Sequence, residues 1–482
     1  MNGAWRVVGQ LGGFLVLSAL LVGCGSEQAL SVEDTTHAST DIASEAVSDV
    51  ELTLPDTEAV EADIGPGSSD DSGSGSDSSD EADSGGDADV EGADVEGADV
   101  EGADVEGDAE GEATDVGAPI SSYPELPATL SETVAEKMVA AKVPGLSACI
   151  VKDDAIFWCG GFGGANLEND VPATEHTPFL LASISKLFTS TVVLQLVESG
   201  ELDLEADVSG LLGWELTHPM SDAPITMSQL LTHTSGLKDN WSAMGDFYGY
   251  GSDPELSLKE AIEGYFQTDG FWYDAGANFT SDGPGEGFLY SNMAVALAAY
   301  IVEQVTGQDF VERSQETLLG PLGLTQSAWR LSAFPDLDAL AMPYKWQGGE
   351  YVPTGHYTFA DYPNGGLRAS AHDLARFLVA HLRGGELDGE RVLSQESVDA
   401  ALSVQVAAPS KGQGWMWYQL SWGGDDWWGH SGAENGVWTE VFFRESDKMG
   451  FVTLTNGDAN DPNPVYAIQD ALLLWAETYD GP

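Results

Sequence analysis

The sequence predicts an α+β fold: an antiparallel sheet flanked by N- and C-terminal helices, with an inserted, mostly helical subdomain. Three stretches carry that expectation. Residues 129–161 read as a helix followed by a β-hairpin. Residues from about 205 to 350 are helical and loop-rich. Residues 415–478 read as four strands and a closing apolar helix. Strands and helices are segregated along the chain without a βαβ alternation, which is the α+β pattern. The two ends are therefore expected to complete one sheet around the helical middle.

The first 24 residues read as an export signal and stand apart from the fold. Arg6 is their only charge, an apolar run covers 11–22, and the segment ends Leu21-Val22-Gly23-Cys24. The run is short for a bilayer span. Its ending resembles a bacterial lipobox. That resemblance implies a lipid on Cys24 and attachment at the cell envelope, with Gly25 favouring the outer membrane or surface.

Residues 25–120 hold 30 acidic residues and no Lys or Arg. Asp-Val-Glu-Gly-Ala recurs from Asp89, Asp94 and Asp99, and Asp104 begins a partial fourth copy. A five-residue period matches no solenoid unit. This composition buries too little apolar surface to offset chain entropy, so a disordered acidic linker is expected. A flexible chain of that length spans roughly 55 Å root-mean-square. It is compatible with a tether and equally with a spacer of no required length.

The whole chain has 482 residues and a formal charge of -63. Residues 121–482 contribute 50 acidic and 16 basic residues and enough apolar content for one substantial folded domain. Phosphates would be repelled, which excludes nucleic acid as a partner. A helix is expected over 129–141, with Thr129 and Glu132 as a capping box. Residues 145–150 and 155–161 read as a hairpin whose three-residue loop, 153–155, would set Cys149 opposite Cys159. In an exported chain two readings stay open for that pair, a cross-strand disulfide and two buried thiols. A further helix ends at Ser199-Gly200, another runs from Ala294 to Thr306-Gly307, and one begins near Ala371.

Ser183 and Lys186 are three apart at the start of the helix that ends at Ser199. One turn brings such a pair onto one face, where an amine can take a hydroxyl proton. A Ser-x-x-Lys match is expected about once by chance in a chain this long. Two companions change that. Tyr290-Ser291-Asn292 precedes the next long helix and offers a phenol for proton transfer and an amide for orientation. His430-Ser431-Gly432-Ala433 lies on an expected strand, where glycine lets a ligand approach and the next N–H can meet an oxyanion.

With these three motifs in this order, the chain from about residue 129 onward resembles the serine β-lactamase and penicillin-binding-protein superfamily. It is most similar to the branch that holds class C β-lactamases, D-alanyl-D-alanine carboxypeptidases and related esterases. The stretches Leu230-Leu231-Thr232-His233-Thr234-Ser235-Gly236-Leu237 and Gly365-Gly366-Leu367 add to the likeness. The resemblance implies that Ser183 is the acylated nucleophile, with Lys186 and Tyr290 as the base and acid candidates. It implies that Asn292 orients Lys186 and the substrate carbonyl, and that the N–H groups of Ser183 and Ala433 form the oxyanion hole. His430 and Ser431 would line the site and hold a substrate carboxylate. The commonest family triad has Lys where this chain has His430, and a neutral imidazole holds a carboxylate less strongly. A carboxypeptidase- or esterase-like site is therefore expected in preference to a proficient β-lactamase.

His233 is expected to be structural, and Trp415, Trp417, Trp422, Trp427 and Trp428 to pack the strands. Gly429-His430-Ser431-Gly432-Ala433 departs from a nucleophile elbow at its last position and leads into strands. No His-Glu-x-x-His or Cys/His spacing is present, so no metal and no cofactor is expected. The expected partner is a small-molecule or peptide substrate met by a monomer. A non-catalytic binder of cell-wall peptides is the alternative of another class.

Overall fold

The computed structural model describes residues 123–407 and 412–481. The export signal, Cys24 and the 25–120 acidic stretch lie outside the described residues.

The first helix, α1, spans Ala128–Ala141. It starts after Pro127, with no side-chain cap, so the Thr129–Glu132 capping box does not form. Thr129 already lies inside the first turn, and the Pro127 carbonyl accepts from the N–H groups of Leu130 and Ser131. Lys142, at φ 61°, ends the helix in the left-handed region.

Strands β1 (Gly145–Lys152) and β2 (Ala155–Asn166) follow, with β3 (Val171–Pro172) on the outer edge. The hairpin turn is the two residues Asp153 and Asp154, both at positive φ. A turn with both central residues left-handed matches the twist of the flanking strands. Ala155 is already paired with Lys152, which corrects the three-residue loop. A bulge at Ile150/Val151 supplies the missing offset and brings Cys149 opposite Cys159. The two form a disulfide.

Helix α2 (Ser185–Ser199) carries Lys186 and ends at Gly200, φ 75°. Helix α3 (Asn292–Thr306) ends in the same way at Gly307, and α4 spans Ala371–Leu382. The last section gives β4 (Gly412–Gln413), β5 (Tyr418–Trp422), β6 (Asp425–Glu434), β7 (Val437–Arg444), β8 (Met449–Thr455) and α5 (Asn463–Thr478). The sheet order is β4-β5-β6-β7-β8-β1-β2-β3, antiparallel throughout. The β8–β1 pairing joins the two ends of the domain into one sheet, as expected.

Alternation along the strands sorts side chains to two faces. Leu146, Ala148 and Ile150 of β1 join Phe442 and Phe451 in an outer core under α1 and α5. Cys149, Val151, Val441 and Val452 join the inner core, which α4 and the helical middle cover. Of the five tryptophans expected to pack the strands, Trp427 and Trp428 do so from β6, in the outer and inner core, and Trp422 of β5 packs half-buried on the outer core. Trp415 and Trp417 are buried in the inner core from the turn before β5. Helix α3 is apolar nearly all round and sits inside the inner core, the environment such a helix needs. Two short strand pairs in the middle were not expected: Tyr248–Tyr250 with Tyr357–Phe359, and Tyr344–Gln347 with Glu350–Pro353.

Candidate active site

Ser183 sits on a single 3-10 turn, Ala182–Ile184, that leads directly into α2. The turn is held from two sides. The Leu181 N–H donates to the Leu367 carbonyl at 2.8 Å, and the Thr439 hydroxyl donates to the Leu181 carbonyl at 2.7 Å. Ala182 takes φ +49°, a left-handed conformation that costs an alanine about 1–2 kcal/mol. Strand β6 packs against this turn through Gly432. A Cβ there would stand 2.3 Å from the Leu181 carbonyl oxygen and 2.4 Å from Thr439 Oγ1. The glycine of the His-Ser-Gly triad is therefore what lets the strand reach the serine.

Lys186 is fully buried. Its Nζ lies 3.1 Å from Ser183 Oγ and donates to Asn292 Oδ1 at 2.7 Å and to the Asn364 carbonyl at 2.7 Å. Burial pushes its pKa down to about 7, against the opposing pull of Asp239, Asp361 and Glu434. An amine held near neutrality can accept a proton from the serine and return it.

Asn292 opens α3. Its Nδ2 donates to Asp239 Oδ2 at 2.8 Å while its Oδ1 faces Lys186, so its neighbours fix which way round the amide stands. Asp239 also accepts from the backbone N–H groups of Asn292 and Met293 and from the Ser291 hydroxyl. One carboxylate thus caps the helix and orients the amide that holds the lysine. Burial raises the pKa of Asp239, and these hydrogen bonds work against that rise.

The Tyr290 ring lies 4.9 Å from Lys186 Nζ, with the Ser183 hydroxyl near its phenol. As a residue Tyr290 is 37% exposed, and the burial of its inner part raises its pKa, with the Ser183 hydroxyl opposing. Beside it, the His233 ring lies tilted by 36° at a ring distance of 4.3 Å and accepts from the Ser291 N–H through Nδ1. Burial first, then the charge of Lys186, holds His233 well below the usual imidazole range. His233 is thus a neutral support for Tyr290, the structural role expected of it.

The third motif is less uniform. Ala433 lines the same cleft as Ser183 and Asn292. His430 is buried, 6.2 Å ring to ring from Tyr290, with Nδ1 at 2.6 Å from the Ser431 carbonyl. Burial, with Lys186 adding to it, lowers its pKa to about 3, so the imidazole is neutral. The Ser431 hydroxyl is bonded to the Tyr418 hydroxyl on β5.

Most of the remaining cleft wall came from outside the motifs: Trp241, Met244, Tyr248, Phe359, Asp361, Asn364 and Glu434, joined by Gly365 of the Gly365–Leu367 stretch. Asp361 is 2% exposed and accepts from Asn364 Nδ2 at 2.8 Å, and burial raises its pKa to about 7. Asp239 follows the Leu230–Leu237 stretch by two positions, which is the only signal in the sequence that could have found it. No group of His, Cys, Asp and Glu among the described residues could hold a metal ion.

Comparison with known proteins identifies the family and the fold. The β-lactamase family profile matches residues 130–474. Penicillin-binding protein 4 of Amycolatopsis lactamdurans is 30% identical over 338 residues, which cover 65% of this chain and 81% of that protein. The octameric penicillin-binding protein homologue from Pyrococcus abyssi superposes with a TM-score of 0.61 at 28% identity, covering 72% of this chain and 77% of that one. The D-amino acid amidase from Ochrobactrum anthropi SV3 superposes with a TM-score of 0.59, covering 71% and 99%. At 20% identity that last likeness concerns the fold alone.

Proposed function

Because the chain belongs to the β-lactamase family, we propose that it is a serine hydrolase working through an acyl-enzyme on Ser183. The observation that carries this reading is the buried Lys186 amine, held near neutrality 3.1 Å from Ser183 Oγ. Ser183 Oγ attacks the carbonyl carbon of an amide or ester as its proton passes to Lys186, directly or by way of the Tyr290 phenol, which hands its own proton to the amine. The N–H groups of Ser183 and Ala433 stabilise the oxyanion. Tyr290, beside Ser183, protonates the leaving group as the bond to the carbonyl breaks. The same groups then take a proton from water, which attacks the ester and releases the acid and the free serine. Lys186 and Tyr290 act on one hydroxyl and titrate as a coupled pair.

The substrate class we propose is an amide or ester of an amino acid or short peptide, D-amino-acid peptides of the cell wall included. We also propose that Cys24 carries a lipid and that the 25–120 stretch tethers the domain to the envelope. No helix among the described residues is long and apolar enough to cross a membrane.

A serine-reactive fluorophosphonate or penicillin probe on the purified protein tests the mechanism. Labelling of the wild type and none of Ser183→Ala is the expected result. Equal labelling of the two removes Ser183 from its role. A folded wild-type protein that neither labels nor turns over any ester or amide is a binder.

A further inference from the structure

The cleft that Ser183 opens onto has an unusual charge for a site meant to hold a substrate carboxylate. Asp361 and Glu434 both line it, together with the rings of Trp241, Tyr248 and Phe359. Glu434 directly follows Ala433 on β6 and accepts from the Tyr248 hydroxyl at 3.0 Å and from the Asn435 N–H at 2.8 Å. Asp361 is tied to Asn364, whose own carbonyl receives Lys186. These partners of the two carboxylates are neutral. Lys186, the cation these carboxylates act on, is spent on Ser183, Asn292 and Asn364. His430, where the family motif most often has a lysine, is buried and neutral.

An anionic substrate entering here meets carboxylates, and no Lys, Arg or His is among the described residues that line the cleft, which costs affinity. An ammonium group meets the Glu434 carboxylate, an Asp361 carboxyl that its charge would favour in the ionised form, and aromatic faces, all of which attract it. We infer that the substrate carries a free amine beside the scissile carbonyl, and that Asp361 and Glu434 recognise it as the ammonium ion. This rests on the hydrolase reading and narrows it. The site would act on the amino-terminal residue of an amide, ester or peptide, and a free C-terminal carboxylate would count against a substrate.

The test compares alanine p-nitroanilides of each hand with their N-acetyl forms, and with N-acetyl-alanyl-alanine as an anionic peptide. For the reactive hand, the free amine is expected to exceed its N-acetyl form in kcat/KM by about tenfold or more. Asp361→Asn and Glu434→Gln are each expected to bring that ratio towards one through the KM of the free amine. The ratio is read within one protein, so loss of folded material in one variant leaves the wild-type ratio and the other variant decisive. A wild-type ratio at or below one overturns the inference, as does a ratio unchanged in both variants or a preference for the anionic peptide. If Ser183 labels with the probe in those cases, the hydrolase reading survives. If Ser183 does not label and nothing is turned over, both fall together.

Discussion

The two faces of the sheet are packed alike and loaded differently. The outer face, under α1 and α5, is an apolar core of Leu146, Ile150, Phe442, Phe451 and Leu472. Its buried carboxylate, Glu440, is matched by the Gln469 amide at 2.6 Å, and burial raises its pKa to about 7. The inner side buries Lys186, Asp361, His233 and His430 around the Ser183–Tyr290 centre. Isolated buried charge is costly, so its concentration on one face marks where stability has been given up for chemistry. The outer face holds the sheet together, and the inner face uses it as a platform.

Replacing Lys186 with Met tests that division most severely. Loss of the proton acceptor is expected to lower kcat/KM by roughly a thousandfold or more. Stability should not follow. The folded pKa of Lys186 lies below its ordinary value, so between about pH 7 and 10.5 the unfolded chain holds a proton that the native one lacks. Native stability therefore rises with pH across that window, and the cost of burying the charged amine is fully present at and below about pH 7. At pH 6 the apolar variant should unfold no more easily than the wild type in urea. A large loss of stability at pH 6 would place the lysine among the groups that hold the fold.

The opposite experiment is Leu472→Ala on the outer face. Leu472 is 1% exposed, and truncating such a residue costs about 2–5 kcal/mol. The urea midpoint should fall while kcat/KM, measured well below the transition, stays at the wild-type value. An activity loss as large as that of the Lys186 variant would mean that the two faces are coupled through the strands.

The same contrast explains what was legible in the chain. Ser183 and Lys186 could be read because helix geometry is local and the two companion motifs were present. The capping box at Thr129 failed because Pro127 starts the helix without it. The first of the four strands expected from residue 415 onward begins only at Tyr418, since Met416 turns at φ +65° and the Gly414 N–H donates to the Trp417 carbonyl. The pairing of Cys149 with Cys159 was right in outcome, but through a bulge that residue types do not announce. Asp361 and the Asn364 carbonyl could not be read at all, and Asp239 only through its place two residues after the Leu230–Leu237 stretch. Asp239 reaches Asn292 across 53 residues and Asn364 reaches Lys186 across 178, and neither contact leaves a local pattern.

Asp239 offers the finest test, because it touches no reacting atom in the proposed mechanism. It is a positioning residue, acting through Asn292 and the start of α3. Its negative charge raises the pKa of Lys186 against the larger effect of burial. In Asp239→Asn that support is lost and the Lys186 pKa must fall further. If Lys186 is the base, the rising limb of kcat/KM near pH 7 should move to lower pH. The plateau should also drop, by about tenfold, as the Asn292 amide loses its charged partner. A structural role alone would lower the plateau and leave the limb where it was. The other charged or titratable groups around Lys186 are Asp361, Glu434, His233, His430 and Tyr290. Neither histidine carries charge near pH 7, since burial has already pushed both pKa values down. Asp361 titrates near the same pH as Lys186, so Asp361→Asn is the necessary companion. A limb that shifts in the Asp239 variant and persists in the Asp361 variant belongs to the lysine. A limb that disappears with Asp361 belongs to the cleft wall and to the binding of the substrate.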